Sequence, residues 1–314
     1  MKVVWGLDQL PGLLDDLGIE RPFLVASRRW DRLALPSGAR WDEIPSHRIE
    51  VPGGVDGILA VGGGSAIDTA KAASAASGLP LVSVPTTYSG SEWSQFFGVR
   101  DPDRRMRGGG GGAHLAGIVY EPELTLELPR ETTAGTALNA LAHCAEALYV
   151  RGRDEAADGV ALEGARIITD ALPRVLEQPG DRAARRDLLL GAARAGAALG
   201  RSGLALGHAM AQVLGGRYGL PHGVLNAICL PAALRFNAEL VPPSLGEALG
   251  TEDPAARVEE LARLGGIGRL GDLGVPRDEL PEVAEAVAGR PGARANPRPA
   301  SAGEILRLLD SVYD

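Results

Sequence analysis

Ile58-Leu59-Ala60-Val61-Gly62-Gly63-Gly64-Ser65-Ala66-Ile67-Asp68-Thr69-Ala70-Lys71 is the stretch whose reading decides the fold. Its four opening apolar residues have the character of a buried parallel strand. Three glycines and a serine follow, then Ala-rich residues at helical spacing to about Ser77. Strand, glycine turn and helix in that order build an anion site. Glycines let the backbone approach a phosphate, and the new helix turns free N–H groups and its positive dipole end toward it. Ser65 stands where an N-cap is expected and offers a hydroxyl. The same turn serves equally well as a plain strand-to-helix connection without a ligand, so it does not decide function alone.

On either side the chain alternates. Leu10 to Leu17 reads as a helix closed by Gly18, Arg21 to Ser27 as a buried strand, and His47 to Val51 as a further strand. Leu79 to Thr87 is a strand entering a hydroxyl-rich loop, and Gly117 to Tyr120 another strand. The glycine run Gly108 to Gly112 is predicted to be a flexible turn tip. From Glu131 the texture changes to long helical segments: 133–150, 154–177, 181–199 and 204–214. Residues 289–299 read as a loop leading to a final helix from Ser301 to Val312. The fold class is therefore α/β plus all-α, with a parallel-sheet domain over 1–130 and a helical domain over 131–314.

The 314 residues, 45% hydrophobic and 23% charged, suit a globular protein of two domains. The net charge of -8 speaks against a nucleic-acid partner. No apolar run approaches the ~20 residues of a membrane helix, and the start Met1-Lys2-Val3-Val4-Trp5 lacks the pattern of a signal peptide, so the expected location is the cytoplasm. Cys144 and Cys229 lie in apolar surroundings, where free buried thiols are expected.

Three of the five histidines fall in the helical half. Asn139 and His143 are one turn apart, as are His208 and Gln212, and His222 follows in a Gly-Leu-Pro-His-Gly turn. Singly, each reads as a structural histidine. Brought together they can ligate a divalent metal, polarise a carbonyl or carry a proton. His47 and His114 sit in loop-like surroundings and receive no role.

These stretches occur together with Pro85-Thr86-Thr87-Tyr88-Ser89-Gly90-Ser91-Glu92, Tyr120-Glu121-Pro122-Glu123-Leu124-Thr125 and Leu214-Gly215-Gly216 through Leu220-Pro221-His222. In that order they resemble the iron-containing alcohol dehydrogenase superfamily, and within it the maleylacetate reductase branch. The resemblance implies a dinucleotide-binding domain followed by a helical domain. It implies that Gly62, Gly63, Gly64 and Ser65 hold the pyrophosphate of NADH or NADPH, with Asp68, Thr86, Thr87 and Ser91 lining the rest. Arg105 stands where the branch usually has a lysine near the cofactor. In metal-dependent relatives an aspartate and three histidines hold iron or zinc. The positions here are Asn139, His143, His208 and His222, so the only anionic ligand is lost and the metal is weakly held or not needed. Gln212 replaces a further histidine, and the helix normally preceding the glycine motif is missing.

The expected activity is reduction of an unsaturated keto-dicarboxylate of the maleylacetate type by NAD(P)H in aromatic-compound catabolism. His143, His208 and His222 are the expected catalytic residues, Arg217 the candidate anchor for the anionic small-molecule substrate, and a homodimer the expected assembly. The alternatives are a metal-dependent alcohol dehydrogenase and a catalytically silent homologue. Ala26-Ser27-Arg28-Arg29 offers no acid before Asp31, which favours acceptance of NADPH at least as well as NADH.

Overall fold

Short apolar strands, the four inner ones buried on both faces, build the first unit of the chain, Met1–Glu127. The computed structural model describes residues 1–314. In chain order the unit comprises β1 (Lys2–Trp5), α1 (Leu10–Asp16), β2 (Pro22–Ala26), β3 (Ala39–Trp41), β4 (Gly57–Gly62), α2 (Gly64–Ser77), β5 (Leu81–Pro85), β6 (Phe97–Arg100), β7 (Met106–Gly110) and β8 (Leu115–Tyr120). Six strands form one sheet in the order β1-β8-β5-β4-β2-β3, each neighbouring pair parallel. The period of two along β4 divides the core. Leu59 and Val61 join Leu10, Leu13 and Leu14 of α1 on one face, while Ile58 and Ala60 meet Ile67, Ala70 and Ala73 of α2 on the other.

The connections place the glycine turn. β2 leads outward to β3, whereas β4 leads in the opposite sense to β5, which neighbours β8. The order thus reverses between β2 and β4, and ligands in open α/β sheets bind beyond the carboxyl ends of strands at such a point. Gly62 ends β4 there.

Two strand expectations need correction. Residues 47–51 form no strand; β3 lies earlier, and Ile49 and Val51 pack against the α2 side of the core without joining the ladder. The glycine run is not a turn tip. Its first residues belong to β7, antiparallel to β6, and Phe97 pairs with Gly110. A Cβ on Gly110 would stand 2.9 Å from the Phe97 ring, and one on Gly111 2.9 Å from the Phe96 ring. These glycines make room for aromatic rings, and the turn lies instead before Met106.

The second unit, Leu128–Asp314, is helical. It contains α3 (Arg130–Ala147), α4 (Asp158–Glu177), α5 (Arg182–Ser202), α6 (Leu206–Tyr218), α7 (His222–Phe236), α8 (Pro243–Leu249), α9 (Pro254–Leu264), α10 (Leu280–Ala288), α11 (Pro291–Ala295) and α12 (Ala302–Ser311). α11 interrupts what the sequence suggests is a loop; Pro291 starts it at a position where proline lacks nothing it needs. Ser301 and Glu304 form a reciprocal cap at the start of α12. α3 is buried along nearly its whole length and packs against α4, α5 and α7. No helix is long and apolar enough to cross a membrane.

Candidate active site

The glycine turn is built by exclusion of side chains. Gly62 has φ +152°, which glycine tolerates far better than other residues, and a Cβ there would lie 2.7 Å from that of Ala66. Gly63 precedes α2, and its Cβ would meet Thr87 Cγ2 at 2.9 Å. No side chain caps α2. Ser65 is therefore not the N-cap; the helix begins one residue before it, at Gly64, and Ser65 lies within its first turn. The Thr86 N–H donates to the Gly62 carbonyl at 3.0 Å, tying the β5 loop to the turn. Beside Gly63, the buried Thr87 hydroxyl has no hydrogen-bond partner. An uncapped fourteen-residue helix, a cradle that a Cβ would fill and an unused hydroxyl together fit a dinucleotide pyrophosphate.

The other residues expected here have different positions. Asp68 Oδ1 accepts from Ser91 Oγ at 2.8 Å, and the buried Lys71 ammonium donates to Ser91 Oγ at 2.9 Å and to the Phe96 carbonyl at 2.9 Å. The Gly98 N–H reaches Asp68 Oδ2 at 3.3 Å. Asp68 and Ser91 are thus committed to a latch between α2, the loop carrying Thr86 and Thr87, and β6. Arg105 is exposed in the turn joining β6 and β7, its N–H donating to Asp101. Arg28 and Arg29, beyond β2, pair with Asp42 at 2.6 Å and Glu127 at 3.9 Å.

In the second unit Asn139 and His143 on α3, His208 on α6, and His222 and Asn226 on α7 converge, whereas Gln212, one turn beyond His208, is bonded to Arg290. Glycines permit the approach of α3 and α7. A Cβ on Gly223 would sit 2.7 Å from the Gly135 carbonyl carbon and oxygen, so any side chain would force the helices apart. The ring centroids of His143 and His208 are 4.7 Å apart and stacked, and those of His208 and His222 are 5.9 Å apart. The three imidazoles are therefore one cluster.

Glu146 and Asn226 complete this cluster, and sequence reasoning missed both. The fully buried Glu146 carboxylate accepts from the Ala205 N–H at 2.7 Å, the His208 N–H at 3.2 Å and His208 Nδ1 at 2.8 Å. It serves as an anionic cap for α6 and fixes the His208 ring. His208 Nε2 is left outside that contact, buried and without a hydrogen-bond partner. Asn226 Nδ2 lies between two other groups, donating to Asn139 Oδ1 at 2.6 Å and His222 Nε2 at 3.0 Å. The signals available were spacing ones: Glu146 one turn after His143 in an Ala-rich helix, Asn226 one turn after His222.

This donor set does not make up a divalent metal site. Asn139 Oδ1 and His222 Nε2 already accept from Asn226, Glu146 is occupied by three N–H groups, and the remaining donors are neutral. No group of three His, Cys, Asp or Glu is arranged to hold an ion. Arg217 is corrected as a substrate anchor: its guanidinium donates to Glu279 at 2.8 Å and Glu282 at 2.7 Å, so its charge is already matched. A cavity of about 810 Å³ between α7, α8 and α9, lined by Leu234, Val241, Pro242 and Pro254 among others, contains none of the clustered histidines. Chemistry, not size, marks the site.

The chain belongs to the iron-containing alcohol dehydrogenase family and is an oxidoreductase. Residues 51–114 match "Iron-containing alcohol dehydrogenase", and residues 133–313 match "Fe-containing alcohol dehydrogenase family, C-terminal". Its relatives include the maleylacetate reductase of Burkholderia cepacia, 37% identical over 83% of this chain and 75% of that one. The maleylacetate reductase of Pseudomonas knackmussii is 33% identical over 99% of this chain and 95% of its own. Among solved structures, maleylacetate reductase from Rhizobium sp. strain MTP-10005 superposes with a TM-score of 0.85 at 29% identity, over 99% of this chain and 95% of that one.

Proposed function

We propose that the protein is an NAD(P)H-dependent maleylacetate reductase, converting an unsaturated keto-dicarboxylate to 3-oxoadipate. The observation that supports this reading is the buried imidazole cluster of His143, His208 and His222, beside which the neutral Asn139 is bonded to Asn226. The cradle around Gly62, Gly63, Gly64 and Thr87 would hold the pyrophosphate with N–H groups and a hydroxyl. The bound reduced nicotinamide supplies a hydride.

The chain's own residues handle the charge that follows. As hydride arrives at the carbon β to the ketone, the C=C bond electrons move toward the ketone and negative charge appears on its oxygen. Donors fixed before the reaction stabilise such a charge at no reorganisation cost. Glu146 and Asn226 hold the rings of His208 and His222 in single orientations, so the cluster is preorganised. His208, with its Nδ1–H on Glu146, can take up a solvent proton at Nε2 and pass it to the enolate carbon, completing addition of one hydride and one proton across the double bond. The neutral asparagine removes the charge that would anchor iron or zinc, and the reaction is assigned to imidazole and amide groups.

The test is loss of reduced-nicotinamide absorbance with maleylacetate against a simple ketone, each with NADH and NADPH. Oxidation with maleylacetate in preference is expected. Turnover of the ketone alone would place the protein among alcohol dehydrogenases, and turnover of neither would leave a silent homologue.

A further inference from the structure

A substrate with two carboxylates needs a cation that the protein has not already neutralised. Arg217 fails that requirement, yet a second arginine reaches the same helix. Arg290 is the residue before α11, and its Nη2 donates to Gln212 Oε1 at 3.0 Å. No acidic side chain pairs with it, and its Nε is buried without a hydrogen-bond partner. Gln212 is one turn beyond His208, so the two side chains leave α6 from one face, with Cβ atoms ~5–6 Å apart. Close packing brings Arg290 there: a Cβ on Gly292 would lie 2.7 Å from the Ala205 carbonyl at the start of α6.

We propose that Arg290, held by Gln212, is the carboxylate anchor that selects dicarboxylate substrates, an assignment that rests on the proposed reductase activity. The partner's chemistry supports it. An amide carbonyl accepts one N–H and orients the guanidinium while leaving its positive charge whole, whereas a glutamate at 212 would cancel it. The remaining terminal N–H groups are left for a carboxylate. An arginine anchored one helical turn from His208 places an anionic end of the substrate beside the imidazoles that meet its ketone.

The experiment compares wild type with Arg290→Gln, Arg290→Lys and Gln212→Glu. Steady-state kinetics with maleylacetate are measured alongside calorimetric dissociation constants for 3-oxoadipate and for reduced cofactor. Arg290→Gln is expected to raise KM and the 3-oxoadipate Kd about 30-fold or more, the scale of a lost charge-assisted contact, with kcat and cofactor affinity little changed. Gln212→Glu should raise the same two constants about tenfold without removing the arginine, and Arg290→Lys should fall between. Should Arg290→Gln fail to fold, Gln212→Glu carries the test. Constants within threefold of wild type in folded variants would overturn the anchor while leaving the reductase reading intact. Arg290-dependent binding of 3-oxoadipate by a protein that does not reduce maleylacetate would keep the anchor and remove that reading.

Discussion

The glycine turn of the first unit and the histidine cluster of the second solve opposite problems. The turn is made of backbone: Gly62 and Gly63 leave room because they have no side chains, and the proposed cradle offers N–H groups and the Thr87 hydroxyl. The cluster is made of side chains drawn from α3, α6 and α7, with the His208 and His222 rings each fixed by a buried polar neighbour. A backbone site tolerates little addition of volume. A side-chain site tolerates little loss of a hydrogen-bond partner. The two regions should therefore fail in different ways.

The largest effect is expected at Glu146. Glu146→Ala strips an acceptor from the Ala205 N–H, the His208 N–H and His208 Nδ1 at once, all within a fully buried pocket. Loss of a buried charged partner of this kind costs about 3 kcal/mol of stability. Urea unfolding should report it as a lower midpoint with an unchanged slope. A midpoint equal to wild type would break the comparison, since the cluster would then not depend on its partners.

Next comes Gly63→Val. The branched side chain collides with Thr87, and the dinucleotide loses its close approach to the backbone. Affinity for NADH should fall at least about 100-fold, near 2.7 kcal/mol, while circular dichroism stays that of the wild type. An unchanged Kd by calorimetry would remove the glycine turn from the cofactor site.

These two sites also differ in how readable they were. The turn is contiguous, so strand, glycines and helix stood side by side in the sequence, and only the cap was misplaced. The cluster is dispersed over more than eighty residues, and histidine spacing together with the family resemblance suggested it. Glu146 and Asn226 stayed hidden because a lone acid or amide in a helix has many ordinary uses, and only the fold shows that they bond to the histidines. Arg217 and Gly108 to Gly112 misled for a related reason. An arginine's charge matters only when its neighbours are known, here Glu279 and Glu282. A glycine run signals flexibility until Phe96 and Phe97 are seen to cover it.

A smaller effect is expected at Asn139. Asn139→Asp restores a negative ligand on the face that carries His143, and Asn226 Nδ2 can still donate to it. Elemental analysis should show substoichiometric iron or zinc in the wild type and about tenfold tighter metal binding in the variant. Wild-type activity should survive prolonged chelation. Full occupancy in the wild type, with activity lost on chelation and restored by zinc, would turn the cluster into a metal site and erase the contrast drawn from its neutral donors.

The smallest effect tests whether the first unit's buried side chains matter to its backbone site. Glu92 is fully buried; its Oε1 accepts from the Tyr120 hydroxyl at 2.7 Å, while Oε2 has no hydrogen-bond partner. Burial pushes its carboxyl above the usual range, although Tyr120 and Lys71 oppose the rise. The folded state thus favours protonated Glu92. Its stabilising contribution is complete below the ordinary carboxylate range and is lost as the pH rises through its raised folded-state value. Glu92→Gln keeps the Tyr120 contact and has no proton to lose. Wild type and variant should therefore unfold together below about pH 4, and the variant should become the more stable of the two as the pH climbs from there toward neutrality. NADH affinity should not change if the proposed cradle at Gly63 and Thr87, of which Glu92 is no part, is the dinucleotide site. A fall in affinity would show that this cradle leans on a buried carboxylate much as the histidine cluster leans on Glu146.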